Sequence, residues 1–223
     1  MGYIGNQITT VFPTSISVDS ATISGNTTVG GTLGVTGATT LSNTLGVTGV
    51  STLSENIVFN ASSKGVHLGV TSATASNLID DYEEGTWTPT YIVDSGTNPT
   101  VTYNTDSTVG VYVKVGAFVH IQGRIRTNAT SGGSGNLALG GLPFTTILGN
   151  NYYSTADLAM TNQWVADNFP VSGYIAQNNT EILLLKGRAS DHRDGKGLII
   201  SVSNLTNGTN KNDIIFSATY RTS

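Results

Sequence analysis

From Ser20 to Ala61 an apolar residue returns at a fixed interval of six. The blocks are SATISG, NTTVGG, TLGVTG, ATTLSN, TLGVTG, VSTLSE and NIVFNA. Their fourth places are Ile23, Val29, Val35, Leu41, Val47, Leu53 and Phe59. The sixth place is mostly turn-tolerant, as at Gly25, Gly31, Gly37, Asn43 and Gly49, and the second alternates small or polar with large, as at Thr27, Leu33, Thr39 and Leu45. A helical face would repeat at three and four residues, and Gly, Thr and Val are poor helix formers. Alternate residues of a strand share a face, so places two and four point the same way before place six bends the chain. The pattern therefore predicts short strands and turns.

One copy of this segment lacks the apolar surface to hold itself. Ordering a residue costs about 1–2 kcal/mol, and one buried Leu or Val returns about 1.5–3 kcal/mol. Two further copies wound about a common axis would bury both apolar places and pair the strand edges. The expectation is an intertwined homotrimeric β-prism shaft with the seven fourth-place residues as its core. The alternatives are a single-chain solenoid of hexapeptide rungs, which seven hexads would carry through only about two coils with both ends open, and a Gly/Thr/Ser linker.

Ahead of the period, residues 1–19 gather Tyr3, Ile4, Ile8, Val11, Phe12 and Pro13 in a piece too short to fold alone. Such a peptide suits docking on another protein, by adding a strand to a partner's sheet edge. Tyr3, Ile4, Phe12 and Pro13 are its candidate anchors. Residues 62–77 form a neck, where Val66, Leu68 and Val70 alternate and His67 is in phase with the outward face. The domain expectation is thus an anchor at 1–19, shaft and neck at 20–77, and a head at 78–223.

In the head the runs lengthen and Trp and Tyr appear. VGVYVKVGAFVHIQGRIRT (109–127) predicts a hairpin in which Val109, Val111, Val113 and Val115, then Ala117, Val119, Ile121 and Ile125, share the inward face, with His120, Gln122, Arg124 and Arg126 opposite. TSGGSG (130–135) predicts a loop. Further strands are expected at 171–175 and 182–185, and a last hairpin at 198–205 and 214–220 around Asn207–Gly208. Many short strands and no helical stretch predict an all-β protein with an antiparallel, jelly-roll-like β-sandwich head.

Composition narrows the chemistry. Charged residues are 11% of the chain, the net charge is −4 and cysteine is absent. Nucleic-acid binding is not expected without a basic cluster, and disulfides and thiolate metal sites are excluded. No apolar run approaches the about 20 residues of a membrane-spanning helix, so no membrane insertion is expected, and no basic and apolar leader marks a signal peptide. The histidines, 67, 120 and 192, have no metal-ligand spacing, and no nucleophile elbow or phosphate-binding loop occurs. No catalytic residue, metal or cofactor is expected. The carboxylates Asp80, Asp81, Glu83 and Glu84 read as a polar turn before a strand. Asp191, His192 and Arg193 form a charged loop, and Tyr152, Tyr153 and Trp164 are aromatics among polar residues. These six are candidate contacts for a ligand on the head, and the aromatics suit sugar stacking.

The hexads TLGVTGATTLSNTLGVTG resemble repeats of fibrous proteins of tailed bacteriophages, marine ones in particular. MGYIGN is similar to the short N-termini by which phage fibre proteins attach to the virion. YEEGTWTPTY, VGVYVKVGAFVHIQGRI and IIFSATYRTS are similar to C-terminal domains of phage tail fibres. The resemblance covers most of the chain. It implies a non-enzymatic homotrimeric fibre on the virion, joined by its N-terminus to a phage tail or capsid protein, whose head meets a glycan or protein of the host surface. A head fibre, a capsid or tail cementing protein and a polysaccharide depolymerase stay open as alternatives.

Overall fold

The computed structural model describes residues 19–20, 22–149, 152–187 and 198–222. The candidate anchors Tyr3, Ile4, Phe12 and Pro13, and the loop residues Asp191, His192 and Arg193, lie outside the described residues. The chain divides into two compact units, Met1–Asn56 and Ile57–Ser223.

Among the described residues of the hexads no strand forms, because a single copy offers no neighbouring edge for their backbone. All seven fourth-place residues are exposed, from 48% at Phe59 to 64% at Ile23. The large second-place residues Leu33, Leu45 and Ile57 are exposed as well. The period is apolar without being buried.

Among its described residues the second unit is all-β apart from two short 3-10 turns. It opens with a small two-stranded sheet of β1 (Val66–His67) and β2 (Leu78–Ile79), in which Val66 pairs with Ile79. His67 is half-buried, not outward-facing. Its Nδ1 is sealed without a hydrogen-bond partner among the described residues, beside a cleft of about 380 Å³ lined by Phe59, Lys64 and Leu78.

Among the described residues the head proper has eleven strands: β3 (Tyr82–Trp87), β4 (Thr90–Thr97), β5 (Thr100–Tyr103), β6 (Val109–Val115), β7 (Phe118–Ser131), β8 (Ser134–Gly140), β9 (Ser154–Asn162), β10 (Ser172–Ile175), β11 (Glu181–Lys186), β12 (Leu198–Ile199) and β13 (Lys211–Arg221). They make one antiparallel sheet in the order β3-β6-β7-β13-β9-β10-β11-β8-β4, with β12 added on β11 and β5 on β7. Its two end strands, β3 and β4, are consecutive in the chain, separated only by Thr88 and Pro89. Laid flat, eight spacings of about 4.8 Å would part them by roughly 40 Å, and the link reaches about 10 Å. The sheet therefore curls until its ends approach, and its inner face closes on itself.

That enclosed face is the core. Val119, Ile121, Ile125, Leu137, Leu139, Ile175, Ile182, Leu184, Ile214 and Phe216 are buried in it. Trp87 meets Phe216 edge-on at 5.7 Å, and Trp164 meets Tyr91 at 5.8 Å. The paired glycines Gly110 and Gly123 leave room for these rings. A Cβ would lie 2.3 Å from the Trp87 indole at Gly110 and 2.4 Å from the Phe216 ring at Gly123.

The 109–127 hairpin forms, with Val119, Ile121 and Ile125 of β7 inward as expected but the face of β6 exchanged relative to the sequence reading. Its turn holds two residues, Gly116 and Ala117, so Val115 pairs with Phe118 and Lys114 with Val119. Counting alternate residues straight through the turn misses this reversal of parity. Gly110, Tyr112 and Lys114 face inward with Val119 and Ile121. Val109, Val111, Val113 and Val115 lie outside, exposed, beside His120, Gln122 and Arg124. Buried Lys114 is held by an ion pair with Asp81. The other acidic residues near it are not in a turn: Glu83 and Glu84 sit in β3, where Tyr112 and Tyr82 donate their phenolic hydroxyls to them.

Two more expectations change. TSGGSG is mostly strand, since β7 runs to Ser131 and β8 starts at Ser134, leaving Gly132 and Gly133 at positive φ as the turn. The last hairpin does not exist: β12 pairs with β11, whereas β13 lies between β7 and β9.

A bulge in β13 joins the two halves of the curl. Asn212 has φ of 48° and is fully buried. Its side chain is satisfied by Thr127 Oγ1 at 2.7 Å and by the Thr206 backbone at 2.8 Å, and its carbonyl accepts from Tyr91 Oη at 2.7 Å. The next residue, Asp213, is fully buried as well and is held by Arg124 (2.9 and 2.7 Å) and Arg126 (3.1 and 3.0 Å). Bidentate pairing of this kind offsets the desolvation of a buried carboxylate.

Tyr91→Phe removes a bond across the curl and leaves a buried carbonyl unpaired. It should lower the unfolding free energy by about 1–3 kcal/mol, read from the urea midpoint. Burial pushes the phenol of Tyr220 up to about 12, and it raises those of Tyr91 and Tyr103. Unfolded tyrosines ionise near pH 10. The stability that these protonated phenols contribute is therefore fully present below about pH 10 and lost as pH rises towards about 12. Thermal melts at pH 7, 8.5 and 11.5 should show no change from these phenols across the first interval and a steep fall across the second.

Candidate functional site

The outer face of the curled sheet carries two adjoining concavities. The first is a pocket of about 50 Å³ lined by Asp94, Tyr174, Ala176, Asn179, Glu181 and Leu183. Alternation places it. Tyr174 on β10 pairs with Leu183 on β11, so both project from the same face, while Gly173, Ile175, Ile182 and Leu184 face the core. Asn179 Nδ2 donates to Glu181 Oε1 at 3.2 Å, which fixes that carboxylate on the rim. Tyr153 extends the wall, with its ring 6.0 Å from that of Tyr174 and tilted by 54°. Tyr153 is 58% exposed.

The second is a shallow cleft of about 390 Å³ over β7, β13 and β9, where Gln122, Asp157, Ala159, Ile215 and Ser217 line its outer side. β9 runs between the two: Asp157 lines the cleft, and Thr155, two residues earlier on the same face, pairs with Tyr174.

The electrostatics are one-signed. Asp94, Asp157 and Glu181 line the concavities and no Lys or Arg does so among the described residues. The phenol of Tyr174 is raised above its ordinary value, first by burial, then by the charges of Asp94, Tyr153 and Glu181. It stays protonated and a donor at neutral pH. Together the surface offers two aromatic faces, a phenolic donor, amides at Gln122 and Asn179, and three carboxylate acceptors. Hydroxyl groups on an apolar ring match such a set. The small pocket admits a few water-sized groups, so a ring would rest on the surface with a substituent inserted.

Of the described residues singled out from the sequence as ligand contacts, only Tyr153 belongs to this face. Tyr152 turns elsewhere: its ring lies over Gly149 and 6.0 Å from the Arg221 guanidinium. Trp164 is half-buried against the core, edge-on to Tyr91, and its indole N–H has no partner among the described residues. The sequence reading missed Tyr174, Asp94, Glu181, Asp157 and Gln122. Asp94 carried a signal, as a lone carboxylate ending the run TYIV, but the face it occupies depends on pairing with a strand distant in sequence, Ile92 with Ala138 on β8.

No protein-family model matches the chain, and no curated protein is similar to it. Among solved structures it is similar to the crystal structure of Dettilon tailspike protein (gp208), at 18% identity and a TM-score of 0.47, over 63% of this chain. The chain spans 24% of the length of that tailspike.

If Asp94 faces the Tyr174 phenol, Asp94→Asn should lower the phenol's titration midpoint, read by NMR of ring-labelled tyrosine. An unmoved midpoint would place the carboxylate away from the pocket.

Proposed function

We propose that this chain is a structural protein of a bacteriophage virion, a homotrimeric tail fibre that attaches by its N-terminal peptide and adheres to the host surface through its head, without catalysing a reaction. The observation that carries the reading is the six-residue period itself. Its apolar places are exposed on one chain and its backbone has no strand partner, a condition that two further copies relieve. The likeness of the hexads, of MGYIGN and of YEEGTWTPTY to phage fibre sequences supports the same reading.

The ligand class follows from the outer face. Tyr153 and Tyr174 present rings, and Asn179, Gln122 and the carboxylates present hydrogen-bonding groups, which suits a saccharide. Three carboxylates with no cation lining them among the described residues disfavour sulfated, sialylated or uronate chains, so the saccharide is neutral. A single shallow site binds weakly. Three heads on one shaft raise the effective concentration of the second and third contacts and turn weak binding into adhesion.

Fluorescently labelled protein should bind host cells and be competed by neutral host polysaccharide but not by a uronate-rich one. Tyr153→Ala and Tyr174→Ala should each lower single-site affinity about five- to tenfold, as loss of one stacking ring does. Unlabelled cells together with binding to stripped capsids would favour a cementing protein or head fibre. Release of reducing ends from the polysaccharide would make the head a depolymerase.

A further inference from the structure

The valines of β6 are not covered by any described part of the chain. Val109, Val111, Val113 and Val115 are 38% to 49% exposed, and they continue at one end into Phe118 at 60% and Tyr82 at 62%. Register makes this one surface: Val115 stands between Tyr82 on β3 and Phe118 on β7. The six residues expose on the order of 500 Å², in the upper part of the about 300–600 Å² that the largest patch of a monomer spans, and more than half of the about 800 Å² per partner of a standard interface.

The polar groups within the patch are already engaged in hydrogen bonds or ion pairs. Glu84 accepts from Tyr82 Oη at 2.7 Å, Arg124 is clamped to Asp213, and His120 Nδ1 is bonded to Thr219 Oγ1 at 2.9 Å. Unlike the tyrosine face, this one offers a polar ligand few free groups. It has the composition of an interface centre, which is apolar, aromatic at one end and poor in free charge. It also borders β3, an end strand of the sheet whose outer edge pairs with no other strand among the described residues.

Its position indicates the occupant. The aromatic end of the patch is where the chain enters the head. β2 ends at Ile79, Tyr82 opens β3, and the Asp81 carbonyl accepts from Gly116 N at 2.7 Å in the β6–β7 turn beside Val115 and Phe118. Segments entering together from a common axis bring these ends of the heads together first. We infer that the β6 face, from Tyr82 and Phe118 to Val109, packs against the same region of the other copies of this chain, so that the heads form one body around the three-fold axis and keep their tyrosine faces outward. This rests on the trimeric reading above.

The chain has no cysteine, so a single introduced thiol reports cleanly. Val113→Cys replaces an exposed side chain in the middle of the patch. Ser203→Cys, on the exposed 3-10 turn Val202–Asn204, is the control. Both full-length variants would be weighed by native mass spectrometry and then treated with a short bismaleimide over a range of protein concentrations. The inference predicts trimers in which most Val113→Cys chains become crosslinked, independently of concentration, while Ser203→Cys chains do not. Trimers in which Val113→Cys stays uncrosslinked, or crosslinks no better than the control, would overturn head packing and leave the trimer standing. A monomeric mass would overturn both.

Discussion

A chain that must order its backbone has to bury something in return, and from Ser20 to Ala61 this one has only one large apolar residue in six, with a second in alternate blocks. On a single copy even these stay in water, Ile23 and Leu53 at more than 60% exposure. Backbone groups without a strand partner add to the shortfall. The hexads are therefore the part of the molecule whose structure depends most on what surrounds it. Their regularity makes sense if the surroundings are identical copies in register, since a strict period lets every rung meet its equivalents at the same height.

The head obeys the opposite rule. It folds by enclosing its own core, because the Thr88–Pro89 link forces the two ends of a nine-strand path together. The curl is held from inside by Tyr91 bonding to the Asn212 carbonyl and by Trp87 against Phe216, and at the bulge by Asp213 between two arginines. A sheet so closed has a single inner face and a long outer one. The outer face differs along its length, acidic and aromatic around Tyr174 and mainly aliphatic along β6. That contrast separates a surface fitted to a hydroxyl-rich ligand from one fitted to another copy of the chain.

How far the sequence carried these conclusions depended on the range of the interactions. Local alternation located most strands, including β6, β7, β10, β11 and β13, and the all-β class with them. It failed wherever the answer lay in pairing. The valines of β6 read as core because the alternation was followed through a two-residue turn that reverses it. Leu198–Ile199 and Ile214–Tyr220 read as a hairpin because they are neighbours in sequence, yet β13 seats itself between β7 and β9. The tyrosine face was legible only in Tyr153. Its other members come from β4, β10, β11 and the turn before β11, and no local rule brings Asp94 beside Tyr174. Trp164 was noticed for its chemistry and sits against the core instead, where Tyr91 offers its ring face.

Everything said of the hexads follows from the need for sister chains, and mass in solution tests that need most directly. Sedimentation equilibrium of the full chain at micromolar concentration should return three chain masses. A compact, folded species of one chain mass would contradict the account at its root.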